Sequence, residues 1–103
     1  MYRQGDVLLV PIDDLPAEIE AVALEAGRTV LAHGEMTGHA HAITSRDATL
    51  WEDKRGARFL RLDGPCSLLH EEHDPIELPA GRYKVIRQVE YVPGPHIARA
   101  VED

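Results

Sequence analysis

The chain holds one cysteine, one tryptophan and one phenylalanine among its 103 residues. The single thiol, Cys66, has no partner for an intramolecular disulfide, so this fold is held without one. With no apolar signal core in the first residues, Met1-Tyr2-Arg3-Gln4-Gly5-Asp6, the expected setting is reduced and cytoplasmic. Aromatic residues are 5% of the chain, which leaves Val, Leu, Ile and Ala to build the core. A core of such small side chains is thin, and a bound metal or a homo-oligomer is an expected further source of stability. Positive charge is also short, with 11 Lys and Arg against 18 Asp and Glu, a net −7. Binding to nucleic acid through its phosphates depends on Lys and Arg releasing counterions, and anionic membrane surfaces need the same groups, so neither partner is expected. No run approaches the ~18 apolar residues of a membrane-spanning helix.

What the chain does hold is the 44% hydrophobic and 28% charged balance of an ordinary globular domain, at a length that suits one domain. Short apolar runs alternate with Gly, Pro and Asp turns. Val7–Ile12 reads as a buried strand after the Gly5-Asp6 turn. Residues 17–26 are ambiguous. Ile19 and Val22 sit three apart among helix-forming Ala, Glu and Leu, as in a short helix. The preferred alternative is a strand over 19–24, turning at 25–28 into a strand over 29–32, because its surroundings are β in character. Further strands are expected at 43–44, 48–52, 57–62, 66–70 and, longest, 82–92, where Tyr83, Val85, Val89 and Tyr91 share one parity that Arg87 interrupts. Short strands at intervals of roughly ten residues predict an all-β domain, a small β-barrel or sandwich, over residues 1–95, with 96–103 as a C-terminal tail.

Histidine carries the chemistry. His39 and His41 lie in Thr37-Gly38-His39-Ala40-His41, and alternate residues of an extended segment share a face. Neutral imidazole is a preferred ligand of zinc, iron, nickel and manganese, so the pair is a candidate metal-binding half-site. His70 and His73, in Leu69-His70-Glu71-Glu72-His73-Asp74-Pro75, would supply the rest. A spacing of three puts them on opposite faces of a regular strand, so both reach one ion only if the chain bends at Glu71-Glu72. The conformational restriction before Pro75 favours such a bend. His70 with Glu72 is the same-face alternative. Glu35 is read as an exposed turn carboxylate before it is read as a ligand, an orienting partner or a general base. Glu71 and Glu72 are equally acid/base candidates or solvated charges. His33, at a strand end, and His96, between prolines and the tail, are read as solvated. Cys66, in Pro65-Cys66-Ser67-Leu68, is read as a small buried residue.

Gly34-Glu35-Met36-Thr37-Gly38-His39-Ala40-His41 resembles the first motif of the cupin superfamily, and Pro79-Ala80-Gly81 resembles the proline-x-glycine turn of its second. That resemblance implies a small metal-holding β-barrel with His39 and His41 as ligands. The motif's later glutamate and histidine have no counterpart here, where Ala42 to Arg46 and Arg82-Tyr83-Lys84 stand. Residues 34–43 and 69–91 also resemble a group of short, uncharacterised bacterial and phage-encoded proteins sharing the Thr-Gly-His-x-His and His-Glu-Glu-His segments and a closing Gln88-Val89-Glu90-Tyr91 strand. No activity comes with that resemblance. The expectation is therefore a divalent-metal-binding domain with His39, His41, His70 and His73 as ligands and a small molecule as its substrate or ligand. The alternatives are a metal-free protein-interaction module and a metal-free small-molecule binder.

Overall fold

In the computed structural model, which describes residues 1–34, 38–92 and 97–100 (side chains outside 89–100), every regular element is a strand. In chain order these are β1 (Tyr2–Gln4), β2 (Val7–Ile12), β3 (Glu20–Ala21), β4 (Thr29–His33), β5 (Ala40–Ile43) and β6 (Ala48–Glu52). They continue with β7 (Arg58–Leu62), β8 (Cys66–Leu68), β9 (Ile76–Leu78), β10 (Gly81–Arg87), β11 (Val89–Val92) and β12 (Ile97–Ala100).

β1 and β2 form a hairpin closed by Gly5-Asp6, with Gln4 opposite Val7. Gly5 has a φ of 57°, a conformation open to glycine at the first position of a two-residue hairpin loop. β2 pairs with β10, β10 with β7, β7 with β6 and β6 with β3, giving a six-stranded antiparallel sheet in the order β1-β2-β10-β7-β6-β3. β4 pairs with β5 and β8 with β9 as separate hairpins. The core gathers Val7, Leu9, Leu50, Leu60, Leu62 and Tyr83 from the sheet with Leu31, Ile43, Cys66, Leu68 and Leu78 from the hairpins. Aliphatic side chains dominate it, as the scarcity of aromatics requires. Tyr83 is the large exception, and its hydroxyl donates to Pro79 O at 2.6 Å, pinning the Pro79-Ala80-Gly81 turn.

The all-β expectation matches this architecture; the barrel does not. β1 and β3 end the large sheet, so the described strands do not close on themselves. The preferred hairpin of residues 19–32 is half realised. Its turn exists, with Glu25 and Arg28 exchanging backbone hydrogen bonds at 2.9 and 3.0 Å. The preceding strand shrinks to Glu20–Ala21 and pairs with β6, because Val22 N–H donates to Leu50 O at 2.8 Å. The expected long strand over 82–92 divides at Gln88, whose N–H donates to Asp6 O at 2.8 Å. Ile97–Ala100, expected as tail, pairs with β11. No helix among the described residues is long and apolar enough to cross a membrane.

Leu60 lies in the middle of β7, paired with Tyr83 and Leu50 and fully buried. Leu60→Ala is expected to cost about 2–5 kcal/mol, since the surrounding sheet relaxes only partly into the cavity. Equilibrium denaturation checks the value.

Candidate metal centre

The two histidine segments meet through one backbone pair. Ala42 N–H donates to Leu69 O and Leu69 N–H donates to Ala42 O, both at 2.9 Å, in an isolated antiparallel bridge. In that register the next residues out, His41 and His70, stand opposite each other, and two further out His39 stands opposite Glu72. The flanking positions of a hydrogen-bonded pair are the closer, non-hydrogen-bonded kind, which brings their side chains together. The His41 and His70 rings are 4.4 Å apart between centroids, and His39 Nδ1 is 3.9 Å from Glu72 Oε2.

Beyond His70 the strand stops. The Glu72 N–H turns back to donate to His70 Nδ1 at 3.0 Å, making the bend at Glu71-Glu72 that the sequence required. The bend returns His73 to the same cluster, 4.6 Å from His70 and 5.9 Å from His41 between ring centroids. His39 completes it at 5.6 Å from His70. All four expected histidines are thus brought together, with His70 at the centre. Two imidazoles on one zinc at ~2.0–2.1 Å per nitrogen have centroids ~4.5–5.2 Å apart. His70 stands at about that spacing from His41 and His73, while the His39–His70 and His41–His73 pairs are wider.

Among the described residues, one three-residue set has donor atoms mutually within 4.8 Å: His39, His70 and Glu71. It takes in a carboxylate that the sequence left undecided and leaves out His41 and His73. Glu71 Oε1 accepts the Ala40 N–H at 2.8 Å, taking over from the backbone pairing where the bridge ends. That bond, then the residue's own N–H, holds the Glu71 carboxyl below its ordinary 4.5; desolvation opposes the shift, and His70 and His39 add to it.

His41 is fully buried and held from both sides. Gln4 Nε2 donates to Leu68 O at 2.8 Å and to Asp74 O at 3.0 Å, so its Oε1 faces His41 Nδ1, 2.9 Å away, as an acceptor. His41 Nδ1 therefore carries a hydrogen. Its Nε2 lies 3.2 Å from Oδ1 of Asp6, whose side chain has no exposure, and Asp6 Oδ2 accepts from Arg87 Nε at 2.7 Å. Gln4, Asp6 and Arg87 had no place in the sequence-level site. The available signal was Arg87 itself, a cation on the same parity of β10 as Tyr83 and Val85. Gly34 fits tightly against the cluster: a Cβ there would meet His39 Cβ at 3.0 Å and His70 Nε2 at 3.4 Å.

The other sequence candidates lie elsewhere. His33 Nε2 pairs with Glu25 Oε1 at 2.9 Å on an exposed rim, and Cys66 is buried in the core. Glu35 and His96 fall outside the described residues. Two surface hollows, one along residues 18–22 and 52–54 and one between Leu31–His33, Gly56–Arg58, Val85 and Arg87, include none of the four clustered histidines.

Residues 3–88 match the model of a family described as a domain of unknown function, DUF8820. The chain belongs to this family. The matched span contains both histidine segments together with Gln4, Asp6 and Arg87, so the whole candidate centre lies inside the family domain. No curated protein and no solved structure matches the chain significantly.

A carboxylate whose pKa is lowered by folding stabilises the fold above its unfolded value and ceases to as pH falls through the lowered one. Thermal unfolding of the wild type and Glu71→Gln is expected to show a gap at neutral pH that narrows as pH falls below 4.5 and through the lowered value. A gap that stays constant on acidification would mean that the ionised carboxylate does not carry the tie to Ala40.

Proposed function

We propose that this domain binds one divalent transition metal between its two histidine segments, drawing its donors from His39, His41, His70 and His73 with Glu71 at the outer side. The observation that supports this most is the Ala42–Leu69 register, which converts two distant sequence motifs into one cluster of four imidazoles. Interiors seldom gather several imidazoles beside carboxylates without a charge or ion to serve, and mixed nitrogen and oxygen donors suit zinc, iron, nickel or manganese better than calcium or magnesium. The Gln4 contact adds to this reading, since a ligating histidine typically donates its other ring N–H to an oxygen that fixes its tautomer. His39 Nδ1 has no hydrogen bond and sits 3.9 Å from Glu72 Oε2, too far for a direct bond between them.

His70 Nδ1 is occupied by the Glu72 N–H, which leaves the neutral ring's hydrogen on Nε2. Ligation through Nδ1 displaces the Glu72 amide, and ligation through Nε2 by a neutral ring moves the ring hydrogen to Nδ1, where it meets the Glu72 N–H. Either way the Glu72 amide loses its acceptor. An ion with a coordination position left to water acts as a Lewis acid or as a source of hydroxide for a small-molecule substrate, whereas four protein nitrogens closed around it make a structural site.

Protein prepared without a histidine tag is expected to carry near-stoichiometric metal by elemental analysis, and His39→Ala/His41→Ala is expected to lose it. Because His41 is fully buried, the partly exposed positions are tested singly. His39→Ala and His73→Ala should each weaken binding by at least the roughly 10–100-fold that loss of an outer-sphere partner costs. Unchanged metal content in folded variants would sink the assignment, and a metal-free wild type would favour the interaction module. Hydrogen exchange offers an independent check: metal addition is expected to speed exchange at the Glu72 amide, and a more protected Glu72 amide would contradict the His70 assignment.

A further inference from the structure

We infer that the ion is held by three protein ligands, His39, His70 and Glu71, and keeps an outward position open to a neutral oxygen donor from solution. This rests on the metal-binding reading above and narrows it from a cluster of histidines to an open site. Among the described residues, His39, His70 and Glu71 offer donor atoms that all lie within 4.8 Å of one another. Donors sharing one ion at about 2.0–2.2 Å are at most ~4.4 Å apart, so side-chain shifts on the order of an ångström close this set around it. Gly34 keeps the meeting place of the two rings clear. Its N–H donates to His39 O at 2.8 Å, and a Cβ there would stand 3.0 Å from His39 Cβ and 3.4 Å from His70 Nε2.

Hydrogen bonding divides the histidines in the same way. Nδ1 of His39 is buried and has no hydrogen-bond partner among the described residues. A buried nitrogen in that state costs free energy, which a bound cation offsets. His41 is in the opposite condition. Its Nδ1 lies 2.9 Å from Gln4 Oε1 and its Nε2 lies 3.2 Å from Asp6 Oδ1, so an oxygen stands at hydrogen-bond distance from each ring nitrogen. The His41 and His73 rings pack on His70 at 4.4 and 4.6 Å between centroids. They orient that ligand and are positioning residues. Glu71 supplies the anionic ligand. Its Oε1 accepts the Ala40 N–H at 2.8 Å, which ties the carboxylate to the start of β5, next to His39, and leaves Oε2 to the ion. Ligating carboxylates are commonly fixed by such a hydrogen bond.

His41 is fully buried, His39 is half-buried and Glu71 is exposed, so an ion on this triple faces solvent on its carboxylate side. Two imidazoles with one carboxylate form the donor class of zinc and non-haem iron(II) sites that leave room for water or substrate. Glu72 stands at the same edge, with Oε2 3.9 Å from His39 Nδ1, a gap that suits a bridging water. That carboxylate, on a chain of net charge −7, disfavours an anionic ligand. The open position therefore suits water or the carbonyl oxygen of a neutral small molecule.

The test loads the protein with cobalt(II) and follows its visible ligand-field bands. Acetohydroxamic acid, a neutral carbonyl donor, is expected to shift the bands of the wild type. Glu71→Gln, which can still accept the Ala40 N–H, is expected to bind cobalt roughly tenfold or more weakly and with altered bands. His73→Ala is expected to weaken binding and keep the band positions. Wild-type bands unmoved by acetohydroxamic acid, wild-type affinity and spectrum in folded Glu71→Gln, or shifted bands in His73→Ala would each overturn the open triad while leaving the metal reading intact. A second measurement needs no variant. Anomalous scattering from zinc-loaded wild-type crystals is expected to place the ion within ~2.2 Å of a Glu71 oxygen and beyond bonding distance of both His41 nitrogens. An ion bonded to His41 overturns the triad, and a wild type that takes up neither cobalt nor zinc overturns the metal reading with it.

Discussion

Two backbone hydrogen bonds between Ala42 and Leu69 hold the candidate centre together. They are the pairing that brings β5 alongside the segment after β8, and through their register they set His41 against His70 and His39 against Glu72. A slip of one residue would turn the second segment's side chains to the other face and separate the two motifs, because side-chain direction alternates along a strand. The bridge is short. What stops it fraying is the Glu71 carboxylate on the Ala40 N–H at one end and the buried Gln4 amide, which ties Leu68 O and Asp74 O to β1, at the other.

The second constraint is the polar line Gln4–His41–Asp6–Arg87, which crosses the protein from β1 to the end of β10. A carboxylate without solvent exposure costs several kcal/mol unless it is paired, and removing one partner of such a pair leaves the other uncompensated. Its members therefore depend on one another. β10 ends beside the same turn: the next N–H, that of Gln88, donates to Asp6 O, carrying the β2–β10 register one step onto the Gly5-Asp6 turn. Backbone and side chain of Asp6 thus secure the same corner.

Much of the fold was legible in the sequence. Strands β2, β6 and β7, the Gly5-Asp6, Glu25–Arg28 and Pro79–Gly81 turns, and an aliphatic core all follow from local patterning, since alternation and turn chemistry act over a few residues. Pairing partners were not legible. Residues 19–24 look ready to fold back on residues 29–32, yet the Val22 N–H reaches Leu50 O instead, a choice made by contacts nearly thirty residues away. Closure into a barrel was equally beyond local pattern, because whether β1 and β3 meet depends on the twist and stagger of every strand between them.

The candidate site divides the same way. By itself the sequence determined its ingredients: two histidine pairs, carboxylates beside the second, and a bend before Asp74-Pro75 that lets His70 and His73 share a target. These follow from residue chemistry and backbone stereochemistry. Only the tertiary structure decided which histidine is the centre, that His41 is locked between Gln4 and Asp6, and that Arg87 belongs to the same network. Those residues come from β1, the turn after it, β5 and β10. Nothing within a strand's own length relates them, and their meeting is fixed by a long-range register that only the packed sheet can set.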